Sequence, residues 1–196
     1  MGGSNLTSAT GIISALDDEQ PEIKEFALQK LNEIVNEFWA EISASISKIE
    51  ILYEDETFKA RQLAALVASK VYFHLEQYDE AMNYALGAGK LFDVSHSSEY
   101  VDTIVAKCID QYIKQRVEQI EDKEGNKIEI DKRLENIVLG MFDRCFQHKK
   151  YRQALGIALE ARRLDKLEQA ITSADDVPEM LRYALQVSLD LILHRD

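Results

Sequence analysis

Apolar residues recur at spacings of three and four along almost the whole chain, and no stretch sustains the alternation that a strand needs. With 8 Gly and 2 Pro in 196 residues, the chain also lacks the turn-formers of a β-rich fold, so it is committed to helices. A short helix is predicted over Ser8–Leu16. A second opens near Pro21, whose missing N–H is harmless in a first turn, with Asp17, Asp18, Glu19 and Glu22 at its positive end. Its stripe runs Ile23, Phe26, Ala27, Leu31, Ile34, Val35 and Phe38. Helix then continues through Trp39–Tyr53, breaks at Glu54–Thr57, and resumes as Phe58–Leu75, with Lys70 among the residues in register, and as Tyr78–Gly89. After a polar turn at Ser95–Ser98 come Glu99 to about Ile120, Lys132–His148, Tyr151–Leu164, Asp165–Ser173 and Val177–His194. Residues 121–131 (EDKEGNKIEID) are the one clear loop, charged and exposed. The expected total is about ten helices and no strand.

Two of these helices repeat. Tyr78–Leu91 and Tyr151–Leu164 align without gaps, with Tyr78/Tyr151, Ala81/Ala154, Ala85/Ala158, Leu86/Leu159, Ala88/Ala161 and Leu91/Leu164 identical. Phe73 and Phe146 correspond in the preceding helices. An aromatic at a helix start wedges between neighbours, and alanines three or four apart let two helix backbones approach closely. Stacked hairpins of the tetratricopeptide type are built this way, although the Trp and Pro of that repeat are absent. The expected fold class is all-α, an irregular α-solenoid of stacked hairpins, with residues 1–196 forming a single helical-repeat arm. The strongly apolar last helix stops abruptly, as expected of a fragment cut from a longer chain or of a terminus needing a partner.

Charge excludes several functions. Acidic residues number 35 against 23 basic, a net of −12, and residues 1–56 alone carry 12 acids and 3 bases. Nucleic acid and anionic membrane surfaces are bound through Lys and Arg, so neither is an expected partner. No run of about 18 apolar residues is present to span a bilayer. Met1-Gly2 lacks the Ser or Thr that myristoylation wants, since Leu6 stands there. Cys108 and Cys145 make no disulfide framework, and the chain reads as an intracellular one.

Reactive constellations are equally scarce. Gly87-Ala88-Gly89-Lys90 is followed by Leu91 and flanked by helix, so its glycines read as a helix end, not a phosphate loop. Cys145 and His148 share a helix face, but neither a second ligand pair for zinc nor an orienting third group for a nucleophile accompanies them. No catalytic, cofactor-binding or metal-ligating residue is assigned, and the chain is expected not to be an enzyme. One feature exceeds background. Arg144, Lys149, Lys150, Arg152, Arg162, Arg163 and Lys166 gather where only Asp143, Glu160 and Asp165 oppose them. Either this segment docks an acidic partner, or its bases lie in solvent near helix C-termini.

Longer strings carry a resemblance. They include Lys24-Glu-Phe-Ala-Leu28, Asn36-Glu-Phe-Trp-Ala-Glu-Ile42, Ala64-Ala-Leu-Val-Ala-Ser-Lys70, Asn83-Tyr-Ala-Leu-Gly-Ala-Gly89, Ala106-Lys-Cys-Ile-Asp110 and Gln153-Ala-Leu-Gly-Ile-Ala-Leu-Glu160. In these the chain, from about Leu6 to its end, resembles the N-terminal region of the non-ATPase subunit 1 family, the largest base scaffolds of the proteasome regulatory particle. The resemblance implies a rod-like, non-catalytic scaffold arm, found in cytoplasm and nucleus. It also implies contacts with other regulatory-particle subunits, lid components among them, in ubiquitin-dependent degradation. The toroid of repeats and the C-terminal tail of that family have no counterpart here, so the chain is expected to be a fragment or short isoform. Two other expectations stand beside these: a peptide-binding tetratricopeptide-like adaptor acting outside the particle, and a homodimer of the isolated chain through its apolar end.

Overall fold

Most helix starts have no side-chain cap, and backbone turns with a few polar side chains mark the boundaries. The computed structural model describes residues 7–121 and 129–193. Among them the regular structure is helical throughout. α1 is Thr10–Ser14, followed by a single 3-10 turn, Ala15–Asp17. The Asp18 carboxylate accepts from Gln20 N at 2.8 Å, and Pro21 then opens α2, Pro21–Ser43. α2 buries Ala27, Leu28, Leu31, Val35 and Ile42. Phe26, read from its spacing as a core residue, instead points outward and is 59% exposed. The helix kinks at Phe38 (φ −113°, ψ 17°) and runs on past Trp39. The unbroken helix expected over Trp39–Tyr53 is interrupted at Ala44 and Ser45, because Ser43 Oγ turns back to the Ala40 carbonyl (2.8 Å) and Ser45 leaves helical geometry. α3 is Ile46–Glu54.

The acidic break before the next helix is a pair of turns. Asp55 accepts from both the amide and hydroxyl of Thr57 (2.8 and 2.6 Å), and Phe58 N bonds the Asp55 carbonyl. α4, Arg61–His74, therefore starts three residues after Phe58. α5 is Tyr78–Ala88, followed by the 3-10 turn Gly89–Leu91, and α6 is Glu99–Glu121. Residues 122–128 of the expected loop 121–131 lie outside the described residues, as do residues 1–6 and 194–196. Asp131 caps α7, Lys132–Gln147, by accepting from Arg133 N at 2.8 Å. α8 is Tyr151–Glu160, α9 Leu164–Thr172 and α10 Val177–Leu193. The expected helix Tyr151–Leu164 thus ends early, and Leu164 begins α9 as an exposed residue.

Three hairpin turns close alike. Glu76, Lys149 and Arg162 all take positive φ (59°, 55° and 53°). In each, the next amide reaches back five residues: Gln77 N to the Tyr72 carbonyl, Lys150 N to Cys145, Arg163 N to Ala158, at 3.0, 2.8 and 2.8 Å. This is the Schellman closure, usually built on glycine at the left-handed position. The sequence repeat is visible in it, for Phe73 packs on Tyr78 (6.1 Å between ring centroids) across α4–α5, and Phe146 on Tyr151 (6.4 Å) across α7–α8. The paired alanines Ala81/Ala154 and Ala85/Ala158 are all buried, so each hairpin packs backbone-close.

The chain divides into two compact units, one of residues 1–93 with 98–104, the other of 94–97 with 105–196. In the first, α1–α4 enclose a core of Leu28, Leu31, Val35, Ile42, Ile49, Leu52, Val67 and Val71. Glu50 accepts from the hydroxyls of Tyr72 (2.6 Å) and Tyr84 (2.9 Å), tying α3 to both arms of the α4–α5 hairpin. Ser69, fully buried, donates to the Ala81 carbonyl at 2.6 Å. In the second, α7 supplies Leu134, Val138, Met141, Phe142 and Cys145, α8 supplies Leu155, and Cys108 and Tyr112 come from α6. α10 buries Met180 but leaves Val177, Leu181, Leu185 and Leu189 exposed at four-residue steps along one stripe.

Candidate functional site

The seven bases singled out from sequence all fall in the second unit, but they do not act alike. Arg163 turns inward, its side chain only 16% exposed. Its guanidinium donates to Tyr112 Oη at 2.7 Å, to Asp165 at 2.7 and 2.8 Å, and to Glu135 at 3.4 Å. Those bonds to Asp165 hold that carboxyl down at about 2 and push the Arg163 guanidinium upward. Arg163 is a half-buried tie between α6, α7 and the start of α9, a role its place in a basic run conceals. Lys166 lies over the rings of Phe142 and Phe146, 5.8 Å from each, and bonds Gln169. Arg144 donates to the Val94 carbonyl at 3.2 Å, and Arg162 occupies the left-handed position of the α8–α9 turn.

Lys149, Lys150 and Arg152 come together. They line a groove of about 460 Å³ between the start of α8 and the turn before α10. Opposite them stand Asp175, Asp176 and Glu179. Lys149 Nζ lies 3.6 Å from Asp175, and Arg152 pairs with Glu179 while its guanidinium covers the Tyr183 ring at 5.2 Å. Lys150 makes no ion pair among the described residues. The acidic wall comes from 26 or so positions downstream, so the basic run alone gave no sign of it. Such exposed pairs are worth only about 0–1 kcal/mol each, which leaves both walls free to exchange partners. The arrangement suits charge-matched docking, not turnover.

The other sequence candidates resolve simply. The Cys145 thiol is buried 3.9 Å from Met141 Sδ, and His148 sits exposed at the end of α7. Burial pushes both thiols up, Cys108 to about 12. Among the described residues no three His, Cys, Asp or Glu side chains gather as a metal site. Gly89 takes φ 58° to end α5, as the helix-end reading of residues 87–90 requires. No described helix is long and apolar enough to cross a membrane. A second concavity, around Lys70 and His74 in the first unit, escaped the sequence reading because Lys70 sits in an otherwise apolar stretch of α4.

Comparison with known proteins decides the family. The family model described as "26S proteasome subunit RPN2, N-terminal domain" matches residues 7–196. The chain belongs to the RPN2 N-terminal domain family. It is 55% identical over 97% of its length to the 26S proteasome non-ATPase regulatory subunit 1 of Drosophila melanogaster. It is 47% identical over 97% to homolog A of that subunit in Arabidopsis thaliana, and 40% over 97% to the regulatory subunit rpn2 of Schizosaccharomyces pombe. Each alignment covers 19% of the relative, so the chain spans about a fifth of the length of these RPN2-family proteins.

Proposed function

We propose that this chain is a non-catalytic scaffold arm of the proteasome regulatory particle, making protein–protein contacts that serve ubiquitin-dependent degradation. Membership of the RPN2 N-terminal domain family carries the reading. Its partners are other regulatory-particle subunits, lid components first among them, and it works where the particle works, in cytoplasm and nucleus. Residues 1–196 act as one arm. The contact surface is the basic segment, in particular Lys149, Lys150 and Arg152, the three that share an exposed groove. In isolation the chain pairs with a second copy through the Val177, Leu181, Leu185 and Leu189 stripe.

The test is affinity purification of the tagged chain from cells. Regulatory-particle subunits are expected to copurify, and reversal of charge at Lys149, Lys150 and Arg152 together is expected to reduce them. Recovery of the chain without any such subunit overturns the scaffold reading, and full recovery with the triple variant overturns the assigned surface. Light scattering decides the pairing, which a monomer at high concentration disproves.

A further inference from the structure

The first unit holds a cleft of about 410 Å³ between α4, the 3-10 turn after α5 and the start of α6. That volume lies in the range of ligand-sized sites. On one wall Lys70 and His74 stand one turn apart on α4, each facing an asparagine of α2. Lys70 Nζ donates to Asn32 Oδ1 at 2.8 Å, and His74 Nε2 lies 3.2 Å from Asn36 Oδ1. Lys70 is half-buried, yet its hydrogen-bond partner among the described residues is this neutral amide alone, and no described carboxylate pairs with it. Burial accordingly pushes its ammonium down. A desolvated cation without a counter-ion is costly and is stabilised by an anion brought to it. Phe73, Phe92 and Leu91 give the cleft an aromatic and aliphatic face, with Leu91 46% exposed at the mouth, and Asp93, Ser98 and Glu99 also line it.

We propose that this cleft receives an acidic side chain of a partner protein, its carboxylate on Lys70 and the apolar residue beside it against Phe73, Phe92 and Leu91. Asp93 and Glu99 line the same cleft, and they select against the alternatives. A phosphate or a run of acids would meet their repulsion, whereas a single carboxylate carried on an apolar segment satisfies Lys70 and the rings with one negative charge. The inference rests on the scaffold reading only in taking the occupant to be protein. It uses none of the basic residues of the second unit.

Trp39 reports on the cleft. It is the chain's single tryptophan and stacks on His74 at 5.8 Å and 12°. The 196-residue chain is titrated with acetyl-Leu-Glu-amide, with acetyl-Leu-Gln-amide, and with acetyl-Gln-Leu bearing a free terminal carboxylate, following Trp39 fluorescence and heat in parallel. The Glu peptide is expected to bind in the millimolar range, at least about tenfold more tightly than either of the others. Lys70→Met is expected to abolish that preference at unchanged melting temperature. Leu91→Glu, on the exposed turn, sets a competing carboxylate at the mouth and gives the same loss without altering α4. Equal binding of the Glu and Gln peptides overturns the proposal, as does preference for the terminal carboxylate, undiminished binding by Lys70→Met, or no binding at all. A chain that joins the regulatory particle but ignores the Glu peptide refutes this inference and leaves the scaffold reading standing. One that binds the peptide but joins no particle does the reverse.

Discussion

Replacing Gly87 by Ala in α5 tests whether the first hairpin is packed to the limit. A Cβ there would collide with Tyr53 Oη and lie 2.7 and 2.9 Å from two ring carbons. Ordinary carbon contacts begin near 3.5 Å, so the ring must retreat by about 1 Å. The ring is not free to do so. Tyr84 meets it edge-on at 5.5 Å, the Arg61 guanidinium lies 5.4 Å from its centroid, and Arg61 Nε also bonds the Tyr53 carbonyl at 3.1 Å. Losing the aromatic pair costs about 0.5–1.5 kcal/mol and the cation–π contact about 0.5–1. Against this, Ala in a helix gains about 0.5–1 kcal/mol over Gly. The net expected is destabilisation by about 1 kcal/mol, at the low end of the range for overpacked sites. In a Tyr53→Ala background the obstacle is gone, and Gly87→Ala should reverse sign and stabilise by about 0.5–1 kcal/mol. Urea denaturation followed by Trp39 fluorescence measures all four corners of this cycle. Stabilisation by the same amount in both backgrounds would refute the reasoning, because the ring would then yield at no cost.

Four other outcomes follow from particular groups. The Asp165 carboxyl is held at about 2 in the folded chain by Arg163, below its ordinary value. Its stabilisation is therefore present above about pH 4 and lost as pH falls toward 2, and Asp165→Asn should remove that part of the acid-induced loss in a pH series of melting temperatures. Burial and the Glu50 carboxylate raise Tyr72 to about 12 and Tyr84 further. Both should ionise above the ordinary tyrosine value of about 10 in an ultraviolet titration, stability should fall as pH rises from about 10 toward 12, and Glu50→Gln should bring both titrations earlier. Cys108 and Cys145, buried with raised pKa, should resist a thiol reagent at about pH 8 in the folded chain and react fully on unfolding. Lys149→Gly relieves a non-glycine residue at positive φ, and should leave stability unchanged or raise it by up to about 1 kcal/mol in thermal denaturation.

Helix type and number were readable because the 3.6-residue period persists across nearly every segment, and the Tyr–Ala repeat announced two hairpins whose turns prove to share one hydrogen-bonding pattern. Boundaries were less legible. Ser43 and Ser45 break a helix through hydroxyl bonds and local geometry that hydrophobic periodicity does not register, and Arg162 ends α8 at positive φ where a glycine would have been the visible signal. Phe26 matched the stripe by spacing yet faces solvent beside Lys30, 5.8 Å from its ring. At the candidate surface, composition located the bases, but not their acidic counterparts, since Asp175 and Glu179 meet Lys149 and Arg152 only through the fold. Arg163 shows the same limit in reverse, a charge in a polar run whose partners are a buried tyrosine and two acids. Lys70 and His74 stayed hidden because their asparagine partners lie 38 positions away on α2.

Crosslinking mass spectrometry of the chain assembled into regulatory particle puts the scaffold reading to the most direct test. The expected result is a set of links from Lys149 and Lys150 to other subunits of the particle. Links confined to the chain itself, in material that sediments with the particle, would contradict it.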